Sequence, residues 1–164
     1  MCPPTSQTSR AYTTSIAQEE LARQHDNHAS ALRRKEAAAE AKLPLFQFRR
    51  LRDEAAIKQF LDLQPDLCVM AFVTDFVPME MINSPAKGAI QYHPSLLPRH
   101  RGPSSINWPI VAGESETGLT VFWPDEGLDT GPILLQRTVE IGPDDTLGIV
   151  YFQHLFPLGV EAMV

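Results

Sequence analysis

The pattern of hydrophobic and polar positions divides the chain into a first segment and a mixed α/β domain. Residues 1–15 are polar and contain two prolines, so we expect them to be disordered. Residues 16–42 are rich in Ala, Glu, Arg and Lys and lack Gly and Pro, which predicts a helix whose alanine face can bury little. We therefore expect residues 1–42 to form a disordered or helical arm, and residues 43–164 to form the folded domain.

Short elements separated by turn residues follow Leu43. Apolar and alternating segments predict strands at 43–48, 67–72, 88–93, 117–123 and 132–141. Amphipathic or capped segments predict helices at 53–63, after Pro78, at 104–113, from about Asp145 and again after Pro157. The unbroken apolar run LCVMAF (67–72) is typical of a parallel strand covered on both faces.

Strands that alternate with helices over short connections predict βαβ units in a doubly wound, mostly parallel sheet. Ligands of such sheets bind beyond the carboxyl ends of the strands. His93 ends one predicted strand, so its side chain is a candidate for such a crevice.

Composition and charge exclude several classes of protein. The 164 residues are 43% hydrophobic and 21% charged, close to globular averages, which excludes collagen-like, coiled-coil and wholly disordered chains. Residues 43–164 contain eight Lys or Arg against fifteen Asp or Glu, so this segment is an unpromising general platform for nucleic acid. No apolar run approaches the length of about 18 residues that a membrane span requires.

The two cysteines and the start of the chain bear on its location. Cys2 and Cys68 lie far apart in sequence, which argues against a disulfide framework and favours a reducing cytosol. We expect a cytoplasmic protein. A Ser/Thr-rich start with Arg10 and no acid before Glu19 weakly resembles an organelle transit peptide, so organelle targeting is the alternative.

Residues suited to proton transfer occur in the segments QYHPSLLPRHRG (91–102) and DEGLDTG (125–131). A histidine at a strand end is more often structural, and an aspartate in a glycine loop more often forms a turn. A carboxylate brought close to His93 by a second loop would, however, suit proton transfer near neutral pH. Asp129 is the candidate for that carboxylate. We expect the Gly127 turn to direct Asp125 and Glu126 into solvent.

Other chemistries fit the sequence less well. His93, His100 and Asp129 could be imagined as zinc ligands, but the histidine spacing matches no compact ligand motif, and we expect no metal. The sequence contains no GxSxG, P-loop or GxGxxG motif, which argues against serine hydrolases, P-loop NTPases and Rossmann dehydrogenases.

HPSLLPRHRG followed by DEGLDTG resembles the formyltransferase family that uses 10-formyltetrahydrofolate. This family includes methionyl-tRNA formyltransferase, glycinamide ribonucleotide formyltransferase and the amino-terminal hydrolase domain of 10-formyltetrahydrofolate dehydrogenase. The resemblance covers roughly residues 40–164, with the His, the SLLP turn, the RG pair and the LDTG loop in the expected order. YHPSLLPRHRG, INW and FPLGVEAMV are most similar to the dehydrogenase-type domain and related bacterial formyltransferases.

The resemblance implies roles for individual residues. His93 would polarise the formyl oxygen of the folate cosubstrate, and Asp129 would hold the imidazole and assist proton transfer. Gln91 is the third catalytic candidate. It stands where the transferases usually carry Asn and the dehydrogenase-type domain an apolar residue. The pterin ring would be received by the strand end 70–76 and the glycine loop, through Met70, Phe72, Gly127 and Leu128. Ordinary core packing would explain the apolar residues Met70, Phe72 and Leu128 equally well.

The resemblance leaves the formyl acceptor open between an amine, such as that of an aminoacyl-tRNA, and water. Arg99, His100 and Arg101 form the one conspicuous basic cluster, which equally fits a solvated turn. The family begins with an apolar strand and a glycine turn, and residues 1–42 resemble neither. We therefore expect a sheet without its first strand and an incomplete catalytic domain, and an inactive folate-binding remnant is the alternative to an enzyme.

Overall fold

Short strands and helices alternate along the residues that the computed structural model describes, which are 13–14, 35–73 and 75–164. Residues 35–40 are helical. The further elements are β1 (Thr13–Thr14), β2 (Leu45–Phe46), α1 (Glu54–Leu63), β3 (Cys68–Met70), α2 (Met79–Asn83), β4 (Ala89–His93), α3 (Asn107–Val111), β5 (Glu116–Phe122), β6 (Ile133–Glu140), α4 (Leu147–Ile149), a π-helical segment (Val150–Leu155) and α5 (Phe156–Met163). None of the helices described is long and apolar enough to cross a bilayer.

The chain divides into two compact units, Met1–Ile57 and Lys58–Val164. In the first unit, β1 and β2 form a parallel pair, which confirms a strand within 43–48. The disorder expected over residues 1–15 is wrong at Thr13 and Thr14, because β2 provides pairing partners for their backbone. The other positions of that prediction, and the part of the predicted helix before residue 35, lie outside the described residues. The boundary at residue 42 stays a prediction.

Four strands of the second unit form a mixed sheet in the order β3, β4, β5, β6. β3 and β4 are parallel, whereas the other two neighbouring pairs are antiparallel. The predicted α/β class is confirmed, but the pairing in this sheet is more antiparallel than we predicted. The segment between β5 and β6 is too short for a helical crossover, so β6 returns antiparallel beside β5.

The core of the second unit lies between the sheet and the C-terminal helical segments. Ile90 and Tyr92 of β4 are buried there against Val150 and Leu155. Tyr92 packs so close to Gly159 that a Cβ atom at position 159 would meet its Cε2 atom at 2.8 Å. Because side chains alternate along a strand, Gln91 and His93 project from the opposite face of β4.

β3 confirms the strand predicted at 67–72 but not its burial on both faces. Met70 is buried, whereas Val69 is 53% exposed. Successive side chains point to opposite faces of a strand, so β3 is covered on the Met70 face and exposed on the Val69 face.

Candidate active site

A buried hydrogen-bond network fixes the segment that follows β4. Thr120 Oγ1 donates to the carbonyl of Ser95 at 2.7 Å and accepts from the amide of Leu97 at 3.1 Å. Gln136 Nε2 donates to the Leu97 carbonyl at 2.8 Å and to Thr120 Oγ1 at 2.9 Å. Thr120 is fully buried, so these bonds replace water, and the hydroxyl uses its one proton and both lone pairs. The segment beyond His93 is therefore held in one conformation.

His93 is buried at the end of β4, with an oxygen facing each ring nitrogen. Nε2 lies 2.9 Å from the main-chain carbonyl oxygen of His100, and Nδ1 lies 3.4 Å from Oδ2 of Asp129. Because a carbonyl oxygen can only accept, Nε2 carries a proton and donates it to His100. Nδ1 in turn faces a carboxylate oxygen, so the orientation of the ring is set from both sides.

Asp129 reaches this histidine from the loop between β5 and β6. Its Oδ2 atom also accepts a 2.8 Å hydrogen bond from the amide of Gly102, and Gln91 Nε2 lies 3.4 Å from its Oδ1 atom. Asp129 is buried and has a φ of 52°, a left-handed conformation that aspartate adopts more readily than most residues. The structure thus brings together His93, Asp129 and Gln91, as the sequence predicted.

The loop that presents Asp129 is organised by Asp125. Its Oδ1 atom accepts hydrogen bonds from Thr130 Oγ1 at 2.6 Å and from the Gly127 amide at 2.9 Å, and these bonds hold the pKa of Asp125 below its usual value. Asp125 and Glu126 are exposed, which confirms the prediction for both. A Cβ atom at Gly127 would collide with Thr130 Oγ1, so this conformation requires glycine there.

A cavity of about 610 Å³ lies beside the His93–Asp129 pair, within the usual range of ligand sites of roughly 300–1,000 Å³. All seven site residues predicted from the sequence line it. Met70 is 4% exposed, so core packing accounts for its position. Phe72 and Leu128 are 55% and 54% exposed, so core packing does not account for theirs.

Sequence reasoning missed other residues that shape this cavity. Phe76 lines it and is 75% exposed, and the buried Ser105 lines it as well. The Gly102 amide and the His100 carbonyl were missed as partners of the acid–base pair. Both belong to the QYHPSLLPRHRG segment, but a main-chain donor or acceptor has no residue-type signature that a sequence could display.

The basic cluster is largely paired with acids. Arg99 lies 3.2 Å from Glu114 and 3.9 Å from Glu116, and the His100 ring lies 2.8 Å from Glu114. Arg101 is exposed. The cluster follows a turn with Arg99 and Arg101 exposed, which agrees with the solvated-turn alternative, although Arg99 and His100 also pair with acids. No group of three or more His, Cys, Asp or Glu side chains within the described ranges could hold a metal ion.

Known proteins resemble this chain in sequence and in fold. A family model described as formyl transferase matches residues 7–158. The chain is 49% identical over 126 residues to mitochondrial 10-formyltetrahydrofolate dehydrogenase of Mus musculus, covering 74% of this chain and 14% of that protein. It is 39% identical over 128 residues to methionyl-tRNA formyltransferase of Syntrophus aciditrophicus, covering 78% of this chain and 41% of that protein.

A solved structure, glycinamide ribonucleotide transformylase 1 from Geobacillus kaustophilus, matches with a TM-score of 0.67 and 31% sequence identity. This match covers 77% of the present chain and 70% of the solved one. The chain spans less than half the length of either curated relative. The family match begins at residue 7, upstream of Leu43, where we expected the folded domain to start.

Proposed function

The chain belongs to the formyl transferase family, and on this premise we propose that its cavity binds 10-formyltetrahydrofolate and that His93 and Asp129 catalyse removal of the formyl group. The observation that carries this proposal is the buried contact of 3.4 Å between His93 Nδ1 and Asp129 Oδ2 at the cavity wall. A buried imidazole beside a carboxylate is suited to proton transfer near neutral pH. The exposed apolar surfaces of Phe72 and Leu128 suit a flat ring system.

The hydrogen bond of His93 Nε2 supports Nδ1 as the nitrogen that acts on the substrate. The His100 carbonyl occupies Nε2, which leaves Nδ1–H to be shared between Asp129 and the formyl oxygen. A nucleophile attacks the formyl carbon, and the carbonyl π electrons move to the oxygen, where Nδ1–H stabilises the developing charge. Asp129 accepts the proton that the nucleophile loses. Asp129 then returns this proton to the folate nitrogen as the bond between that nitrogen and the formyl carbon breaks.

Gln91 supports Asp129 and offers a further donor to the substrate. Its Nε2 atom carries two hydrogens, of which one faces Asp129 Oδ1 at 3.4 Å. The second hydrogen is available to a formyl oxygen, because Gln91 lines the cavity on the same face of β4 as His93. Gln91 therefore orients the carboxylate and adds a donor.

Water is the acceptor that the surface favours. Glu114 and Glu116 pair with Arg99 and His100, which makes these two side chains less available to the phosphates of a tRNA. Hydrolysis to tetrahydrofolate and formate needs no macromolecular partner. Transfer to methionyl-tRNA is the second candidate, supported by the 39% identity to a methionyl-tRNA formyltransferase.

Turnover of 10-formyltetrahydrofolate by the purified chain, alone and with methionyl-tRNA, tests this proposal. We expect tetrahydrofolate and formate in water alone, and loss of both in His93→Ala and Asp129→Asn. Turnover only in the presence of the tRNA would identify a transferase. Folate binding without turnover would identify an inactive remnant. Wild-type turnover in both variants would reject the site.

We place this reaction in the cytosol. Cys2 and Cys68 lie far apart in sequence and provide no disulfide framework, which supports a reducing compartment. A carboxy-terminal fluorescent fusion tests the location, and a diffuse cytosolic signal is the expected result. A signal confined to mitochondria would support the organelle alternative.

A further inference from the structure

A chain of hydrogen bonds runs from His93 to an acid outside the cavity. His93 Nε2 donates to the main-chain carbonyl of His100 at 2.9 Å. The ring of His100 lies 2.8 Å from Oε1 of Glu114, and the other carboxylate oxygen, Oε2, lies 3.2 Å from Arg99. Glu114 itself does not line the cavity. Both oxygens of the Glu114 carboxylate are thus in contact with a partner. One partner is the ring of His100, the residue whose carbonyl accepts from His93.

The backbone of His100 needs such support. Its φ of 53° lies in the left-handed region, which residues other than glycine rarely adopt unless their surroundings hold them there. The direction of the His100 carbonyl depends on this conformation. The contact with Glu114 restrains the side chain of His100 from one side, while Ser95 Oγ donates to the neighbouring Arg99 carbonyl at 2.8 Å from the other.

We propose that Glu114 is a positioning residue for His93, acting through the ring and the carbonyl of His100. By holding this carbonyl in place, Glu114 keeps Nε2 protonated and leaves Nδ1 for Asp129 and the substrate. The kinetic part of this inference rests on the proposed function, because it requires His93 to act on the formyl group. A misplacement of about 1 Å at a reacting group lowers a rate by as much as about 10²-fold.

Three variants separate positioning from general charge effects. Glu114→Ala is expected to lower kcat by about 10-fold to 10²-fold, with KM changed by less than about twofold, because the substrate contacts remain. Glu114→Gln is expected to restore most of kcat, since its amide oxygen can still accept from His100. Glu116→Ala is the matched control. It removes an acid of the same cluster that pairs with Arg99 at 3.9 Å, so kcat should not change.

A readout without substrate keeps this inference distinct from the proposed function. In ¹⁵N-histidine-labelled protein, the hydrogen-bonded Nε2–H signal of His93 is expected in the wild type, Glu114→Gln and Glu116→Ala, and is expected to be lost in Glu114→Ala. If the wild type does not turn over the folate, the proposed function fails. The Nε2–H signal of His93 still tests whether Glu114 positions the ring. A folded Glu114→Ala variant with wild-type signal overturns the inference.

His100→Gly provides a second test should Glu114→Ala not fold. Glycine adopts the left-handed backbone without strain but has no ring for Glu114 to hold. We expect the same loss of the His93 signal and of kcat as in Glu114→Ala. Retention of both would show that the backbone conformation alone positions His93, and would overturn the role of Glu114.

Discussion

His93 Nδ1 lies 3.4 Å from Asp129 Oδ2, and the same oxygen accepts a 2.8 Å hydrogen bond from the amide of Gly102. One carboxylate oxygen therefore joins three segments that are distant in sequence: the end of β4, the turn after the SLLP segment and the glycine loop. The contact that fixes Asp129 in place is a main-chain donor, so the charge of the carboxylate can be removed without removing its anchor.

Asp129→Asn is expected to lower kcat by about 10²-fold to 10⁴-fold, the usual contribution of a positioned acid–base group. The fold should be retained, because the amide oxygen can still accept from the Gly102 amide, but losing the buried ionic contact with His93 should lower the free energy of unfolding. Turnover of 10-formyltetrahydrofolate and thermal unfolding measure the two effects. Asp144→Asn removes an exposed carboxylate elsewhere and should match the wild type in both. Wild-type turnover in Asp129→Asn would contradict the assignment.

Two threonines of β5 are expected to respond differently to the same substitution. Thr120→Val leaves the Leu97 amide and the Ser95 carbonyl without their hydroxyl partner, which should lower the free energy of unfolding by about 1–3 kcal/mol. Thr117 Oγ1 is buried without a hydrogen-bond partner, so Thr117→Val should leave stability unchanged or raise it. Denaturant titration of both variants tests this pair, and equal losses would refute the network.

Two glycine substitutions test the loop that carries Asp129. Gly127→Ala is expected to displace Thr130 from Asp125, shift Asp129 and reduce turnover. Gly148→Ala is the control, because its Cβ atom would meet only Thr146 Oγ1 at 3.8 Å. It replaces a helical glycine and should raise the free energy of unfolding by roughly 0.5–1 kcal/mol. Full turnover in Gly127→Ala would show that the loop tolerates the added atom.

Cys68 is expected to react slowly with thiol reagents at neutral pH. Burial raises its pKa from an ordinary value of 9.0 to about 11, so the reactive thiolate is scarce until strongly alkaline pH. The reaction rate is measured in the Cys2→Ser variant, in which Cys68 is the only cysteine. Reaction at pH 8 as fast as that of a small free thiol would contradict the burial.

The same shift predicts an alkaline loss of stability. Between pH 9 and pH 11 the unfolded chain releases the Cys68 proton while the folded chain retains it. The unfolded state then binds fewer protons, so the free energy of unfolding falls as pH rises through this window. Cys68→Ala removes this contribution. Denaturant titrations of both proteins across the window are expected to diverge, with the wild type declining more steeply.

Local patterns predicted most elements but not the directions of the strands. The runs around β3 to β6 and the amphipathic pattern of α1 are visible in sequence, because alternation and helical spacing are local properties. Whether β5 runs antiparallel to β4 depends on the path of the chain between them, which no local pattern records. The C-terminal helices also differ from the prediction. We predicted that a second helix starts after Pro157, whereas α5 continues directly from the π-helical segment.

For the site, residue types led to His93 and Asp129 and the family resemblance led to Gln91, and the structure places the three side chains together. Their catalytic roles stay predictions. The Gly102 amide and the His100 carbonyl could not be predicted, since every residue except proline has the same main-chain donor and acceptor. Glu114 was not singled out either, because its contact with His100 depends on how α3 returns the chain.

The partner of His93 Nε2 is a main-chain oxygen, and this has a consequence for how such a cavity can diversify. Substitutions along the walls can reshape the space for a different nucleophile without exchanging that oxygen. The imidazole would keep its orientation through each of them, so the identity of the acceptor and the direction of proton delivery can evolve separately.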